Sequence, residues 1–180
     1  MPKTLILVFH PDFSRSRANR ALIKAAAEIA GTETVDVQSA YPDAKIDADA
    51  EAERLLTAER IVFQFPIQWY SAPPILQAWQ NAVLTRMFYM NYETEGRRLE
   101  GKPLLLAVTA GNTPSAYTPQ GANLLPLEQI LNPLRATANR CGLGWNEPFI
   151  VYEARKATEQ QLQAAGQHYA DWLVCAKTGQ

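Results

Sequence analysis

Ile61-Val62-Phe63-Gln64-Phe65-Pro66-Ile67-Gln68-Trp69-Tyr70-Ser71 is the stretch on which the fold of this chain turns. Ile61 to Phe65 is a short run of apolar and β-favouring residues, which reads as a strand covered on both faces. Pro66 ends it, because proline has no N–H to give a sheet ladder. A connecting loop normally carries Gly, Asn or Asp. Gln68-Trp69-Tyr70-Ser71 carries two large amphipathic aromatics and an amide instead, just before Pro73-Pro74 opens a helix. Open α/β sheets bind ligands at the carboxyl edge of such central strands. The competing reading is that Trp69 and Tyr70 cap the core beneath the loop, as aromatics commonly do.

Outward from that strand, the chain alternates strand and helix. Thr4 to Phe9 reads as a first buried strand and Ser16 to Ala30 as an Ala-rich helix ending at Gly31. Glu33 to Gln38 reads as an edge strand, and Ala50 to Ala58 as a short helix leading into Ile61. After Pro74 a helix is expected to about Arg86, with Ile75, Leu76, Trp79, Val83 and Leu84 on one face. Pro103 to Thr109 is a fourth strand, Leu127 to Cys141 a helix, and Pro148 to Tyr152 a fifth strand. Thr158 with Gln161 forms a capping box for a last helix running to about Val174. Such alternation predicts a doubly wound α/β fold, a five-stranded parallel sheet with helices on both faces. Its commonest strand order is the flavodoxin-like 2-1-3-4-5.

The bulk composition narrows the function. At 180 residues, 47% hydrophobic and 19% charged, the chain is expected to form one domain over residues 1–180. A formal net charge of −1 without a basic block argues against nucleic acid as a partner. Cys141 and Cys175 are far apart and lack metal-ligand spacing, so no metal site and no disulfide framework is expected. No run is long enough to span a bilayer, and Met1-Pro2-Lys3 leads into a strand too short for a signal peptide's apolar region. A soluble protein of the cell interior is the expectation.

The order 2-1-3-4-5 predicts that the loops after Phe9, Phe65 and Thr109 line one crevice. The first, His10 to Asn19, offers an imidazole, hydroxyls, an amide and two arginines at the start of a helix, where free N–H groups and the helix dipole favour an anion. It lacks both G-x-x-x-x-G-K-[ST] and G-x-G-x-x-G, so a phosphate monoester suits it better than a polyphosphate. Ser14 or Ser16 acting only as an N-cap is the plainer alternative. The third, Thr109 to Asn123, is long, polar and rich in small residues, as functional loops often are, and Gly111 would let backbone approach a flat ligand. A phosphate cradle, an aromatic-amide platform and a close-approach loop together describe a site for flavin mononucleotide.

His10-Pro11 with Ser16 and Asn19, then Pro66-Ile67-Gln68-Trp69-Tyr70-Ser71 followed by Pro74, Leu76 and Trp79, resemble the flavin-dependent NAD(P)H:quinone oxidoreductases. The resemblance is to their short bacterial branch, which includes the ancillary subunits of glutathione-gated potassium-efflux systems and the modulator-of-drug-activity proteins. Tyr41-Pro42-Asp43 with Ile46-Asp47, and Cys141-Gly142-Leu143 with Trp145, fit the efflux-associated members. The resemblance implies that His10, Ser16, Arg17, Ala18 and Asn19 hold the flavin phosphate. It implies that Pro66, Ile67, Gln68, Trp69 and Tyr70 run along the isoalloxazine with backbone N–H groups at its polar edge. Thr109, Ala110, Gly111 and Asn112 would form the turn beneath the ring, and Tyr117 would stand as the catalytic residue near nicotinamide or quinone. Ala110 and Asn112 depart from the family's T-T-G-G, and Asn123 stands where longer members place a histidine.

The activity so implied is two-electron transfer from NADH or NADPH through FMN, or FAD as the alternative, to a quinone-like acceptor by ping-pong kinetics. The other reading is a regulatory flavoprotein subunit docked on a potassium-efflux antiporter at the inner face of the cell membrane. Met87-Phe88-Tyr89-Met90-Asn91-Tyr92 is read as lying beyond a periodic element, where so much aromatic and Met surface suggests a ligand wall or an interface, with burial under the chain's own loop the alternative. A homodimer formed across the crevice is the expectation. Phosphatase chemistry is disfavoured because neither cysteine lies in a phosphate-binding loop.

Overall fold

The computed structural model describes residues 3–176. Its sheet is built from β1 (Thr4–Val8), β2 (Thr32–Asp36), β3 (Arg60–Pro66), β4 (Pro103–Thr109), β5 (Gly144–Trp145) and β6 (Phe149–Val151). The strands are all parallel, in the order β2-β1-β3-β4, with β5 and β6 both paired to β4. The predicted flavodoxin-like 2-1-3-4-5 order is therefore observed, with six strands in place of five. Gly144 and Trp145 lie opposite Pro103 and Leu104, and Phe149 to Val151 opposite Ala107 to Thr109. Asn146, Glu147 and Pro148 interrupt the outer position, since Pro148 has no N–H for the ladder.

Alternation along the strands gives the sheet two apolar faces. Leu5, Leu7, Phe9, Ile61, Phe63, Phe65, Leu104, Leu106 and Val108 pack on one side with Trp79, Val83, Met87 and Leu134. Ile6, Val8, Val62, Leu105 and Ala107 pack on the other against Leu22, Ala26, Tyr169 and Leu173. The second face is covered by α1 (Arg17–Ala26) and α7 (Glu159–Cys175); α2 (Val37–Ala40) and α3 (Ala48–Thr57) belong to the first. Thr158 and Gln161 make both halves of the expected capping box. Among the described residues, no helix is long and apolar enough to cross a membrane.

Several helix boundaries differ from expectation. The first helix stops at Ala26, and Gly31 turns at φ +82° into β2. Helix α4 (Pro74–Trp79) does not end near Arg86 but widens into π-type turns from Gln80 to Met90, closed by Asn91 N–H donating to Arg86 O. The run Met87 to Met90 thus belongs to a helix, with Met87 and Phe88 buried and Tyr89 and Met90 exposed. The helix expected over 127–141 is two, α5 (Leu127–Ile130) and α6 (Asn132–Arg140). Pro133 causes the break, having no N–H to return to the preceding turn.

Candidate active site

Strand order brings the carboxyl ends of β1, β3, β4 and β6 to one edge. His10, Ser16, Arg17, Ala18, Asn19, Pro66, Ile67, Gln68, Thr109, Ala110 and Gly111 line a crevice of about 460 Å³ there. Trp69, Tyr70, Asn112 and Tyr117 line an adjoining, more open hollow of about 270 Å³, which shares Ile67 and Gly111 with the crevice and adds Asn123. The topology therefore gathers every candidate flavin-site residue on the three loops, but not Ser14. It also adds Ala154 and Arg155, which the loop reading missed. The signal was available: a fifth parallel strand must open its following loop at the same edge, and Arg155-Lys156 stands directly in that loop.

The anion cradle is a helix N-terminus. Ser16 is the N-cap of α1, its Oγ accepting from Asn19 N, and this cap still leaves the first-turn N–H groups of Arg17 and Ala18 without helical partners. Arg15, Arg17 and Arg155 surround the crevice. Arg17 pairs with Glu159 at 3.4 Å and Arg15 with Asp12 at 4.0 Å, whereas Arg155 makes no ion pair among the described residues. Burial disfavours the charged form of His10 and lowers its pKa below 6.5, against the opposing pull of Asp12 and Asp36, and Asp12 N donates to Nδ1 at 3.0 Å. The neutral ring keeps its proton on Nε2, as a hydrogen-bond donor.

The segment after β3 is a two-residue hairpin. Gln68 and Ser71 exchange backbone hydrogen bonds at 2.8 and 3.0 Å around Trp69 and Tyr70, whose φ angles are +47° and +60°. Both central residues are left-handed, as in a type I′ turn, which favours Asn-Gly. Two bulky aromatics there cost roughly 1–3 kcal/mol each. Trp69 is 92% exposed and Tyr70 50%, so neither caps the core. The hairpin's N–H groups are also not all available: Ile67 N donates to Thr109 O and Gln68 N to Ser71 O, and Pro66 has none. Of the N–H groups from Pro66 to Tyr70, those of Trp69 and Tyr70 have no acceptor among the described residues and remain for a ligand, fewer than the resemblance implies.

The opposite wall is the turn after β4. Ala110 is buried, with its N–H on Val151 O, and Ala154 and Glu153 N–H groups tie the last loop to Ala110 O and Asn112 O. Among the described residues nothing accepts from Gly111 N or Asn112 N, and a Cβ added at Gly111 would meet nothing within 4 Å. Ala110 lines the crevice and Asn112 the adjoining hollow. Tyr117 is buried, its ring 5.7 Å from that of Tyr152. Burial, with a smaller contribution from Tyr70, raises its hydroxyl pKa above 10.0. Asn123 accepts from Tyr70 OH at 3.3 Å, joining the hairpin to the long loop. An anion cradle at one end and free N–H groups with an exposed aromatic at the other fit a flat heteroaromatic ring carrying one phosphate.

A family model described as a flavodoxin-like fold matches residues 2–173. The glutathione-regulated potassium-efflux system ancillary protein KefG of Pectobacterium carotovorum is 37% identical over 173 residues, covering 96% of this chain and 93% of that protein. General stress protein 14 from Treponema denticola, solved in complex with FMN, is similar with a TM-score of 0.87 and 30% identity, covering 98% of this chain and 100% of its own. An NADPH-quinone reductase from P. pentosaceus matches with a TM-score of 0.83 over 97% of this chain and 99% of its own, at 24% identity, a likeness of fold.

Proposed function

This chain belongs to the family with the flavodoxin-like fold, and from that premise we propose that it is an FMN-dependent NAD(P)H:quinone oxidoreductase. The observation that carries the reading is the meeting of the Ser16–Asn19 cradle, the strained Trp69-Tyr70 hairpin and the open Gly111 turn on one crevice. The FMN held by a 30% identical structure supports the same cofactor here. Bound FMN would supply two-electron chemistry between a nicotinamide and a quinone-like acceptor. The protein's part is to bind, orient and supply electrostatics.

In that reading the N–H groups of Arg17 and Ala18, the Ser16 hydroxyl and the neutral His10 hold the phosphate, and Arg155 balances its charge. Trp69 N, Tyr70 N, Gly111 N and Asn112 N face the ring's polar edge, where a preorganised donor is worth ~3 kcal/mol as in oxyanion holes. Tyr117 keeps its proton and lends a further donor. The open hollow beside Gly111 takes nicotinamide and acceptor by turns, which gives ping-pong kinetics. A second copy of the chain closes that hollow, because Tyr89 and Met90 are 71% and 75% exposed on the helix that walls a neighbouring groove.

The test is direct. Purified protein should be yellow, release FMN on heating, bleach anaerobically with NADH or NADPH, and regain colour with a quinone. Protein that is colourless and takes up no flavin would overturn the reading. A second reading rests on the KefG likeness over 96% of the chain: an ancillary subunit that docks on a potassium-efflux antiporter. The two are compatible, and co-purification of the protein with such an antiporter in membranes, with and without reducible flavin, separates them.

A further inference from the structure

We propose that Gln64 is a positioning residue that acts through the Asn19 carboxamide. It fixes the Ser16 hydroxyl as a hydrogen-bond donor into the crevice, so that the cradle selects an acceptor-only ligand such as a phosphate dianion. The inference rests on the flavin-phosphate reading above and assigns the source of its selectivity.

Gln64 stands in the middle of β3, fully buried between Phe63 and Phe65. A polar side chain in such a place is costly unless its hydrogen bonds are made. Gln64 Nε2 donates to Asn19 O at 3.0 Å and to Asn19 Oδ1 at 3.3 Å. A backbone carbonyl can only accept, so the nitrogen of Gln64, and not its oxygen, must face Asn19. The same nitrogen then holds Asn19 Oδ1, which turns Asn19 Nδ2 to the far side. There Nδ2 donates to Ser16 Oγ and Thr109 Oγ1, each at 3.1 Å.

Ser16 Oγ also accepts from Asn19 N at 3.3 Å. A hydroxyl has two acceptor lone pairs and one hydrogen. Both lone pairs of Ser16 are engaged, and among the described residues nothing accepts its hydrogen. Ser16 lines the crevice and is half-buried, so the hydrogen is left for a ligand. Donation runs one way, from Gln64 through Asn19 to Ser16 and outward. Gln64 Oε1 meanwhile is buried and has no partner among the described residues. An orphaned acceptor destabilises a fold, so the contribution of this amide lies in its two donors.

The experiment titrates FMN and riboflavin onto the full-length apo-protein by flavin fluorescence, in the parent, Gln64→Met, Ser16→Ala and the double variant. The parent should prefer FMN. Gln64→Met should lower the FMN-to-riboflavin preference about ten-fold or more, as for a lost bond to a charged group, with riboflavin affinity little changed. Ser16→Ala should lower it likewise, and the double variant no further, because the two residues act in series. Should Gln64→Met fail to fold, Gln64→Leu carries the same test. A preference unchanged in the Gln64 variant, equal losses for both flavins, or additive losses in the double variant overturns the role of Gln64 while leaving the flavin reading standing. A parent that binds FMN no better than riboflavin overturns the phosphate reading and this role with it.

Discussion

Trp69 combines 92% exposure with a left-handed backbone, so its indole makes almost no contact whose loss would unfold the protein. Surface substitutions of that kind change stability by about 0.5 kcal/mol or less. Trp69→Ala should therefore leave urea unfolding of the apo-protein within that range while weakening FMN binding or turnover. A loss of ~3 kcal/mol or more in the apo-protein, the cost of truncating a buried aromatic, would return Trp69 to the core. His10 gives the stability a pH dependence. Its folded pKa lies below 6.5 because burial disfavours the imidazolium. The stability this contributes is present above about pH 6.5 and is lost as pH falls through the lowered folded value. Urea unfolding of the apo-protein at about pH 5 and about pH 7 should differ more in the parent than in His10→Gln. Equal differences in both would mean that His10 titrates alike in the folded and unfolded chain. Neither residue's environment was legible beforehand. The sequence marks Trp69 and His10 as unusual, but exposure and charge state depend on neighbours such as Asp12 that only the folded loop sets beside them.

Elements were legible where their chemistry is local. The Thr158–Gln161 capping box, Ser16 at the start of α1 and Pro66 at the end of β3 all behave as their side chains dictate. Periodicity failed where a proline or a change of helical pitch intervened, at Pro133 and between Gln80 and Met90, and the two-residue strand Gly144–Trp145 was too short to show a pattern. The apolar pattern of a π-type turn is close enough to an α-helix that its onset leaves no mark. The hairpin at Gln68–Ser71 is the other case, since Trp-Tyr is among the least suitable pairs for two left-handed residues and nothing local predicts the turn. That mismatch has a measurable consequence. Trp69→Asn with Tyr70→Gly supplies the pair a type I′ turn prefers, and the strain relieved, less the chain entropy that Gly loses on folding, should stabilise the apo-protein by ~1–3 kcal/mol. The same variant removes both aromatics and should bind FMN more weakly. Lower stability together with unchanged FMN affinity would show that Trp69 and Tyr70 hold the turn by packing.

At the scale of the molecule, the strand order carried most of what could be foreseen. Once β1, β3 and β4 are adjacent, the loops after Phe9, Phe65 and Thr109 must meet, and they do. Arg155 escaped although its strand was foreseen, because only the loops beside the switch between β1 and β3 were followed to the crevice and the loop after β6 was not. The exposed apolar surface near the site leads to the last prediction. Tyr89, Met90, Leu124 and Leu125 are 71%, 75%, 68% and 47% exposed, and Tyr70 and Tyr89 line one groove of about 450 Å³ with Leu84, Phe88 and Leu134. An apolar groove with exposed aromatic and Met side chains beside it marks an interaction site, and a two-fold dimer buries the same surface on both copies. Arg140 already lies over the Tyr89 ring at 5.3 Å, so Met90 is the cleaner residue to change. Met90→Lys would set a buried, unpaired charge in each half of such an interface, at several kcal/mol per ion. Sedimentation of the FMN-loaded parent should give a dimer at micromolar concentration, and Met90→Lys should shift it to monomer. Turnover with a quinone should fall in step with dissociation while FMN stays bound, since the hollow over Gly111 loses its second wall but the phosphate cradle does not. A parent that sediments as a monomer with FMN bound and full turnover would show that one chain completes the site alone, and that the patch serves another partner.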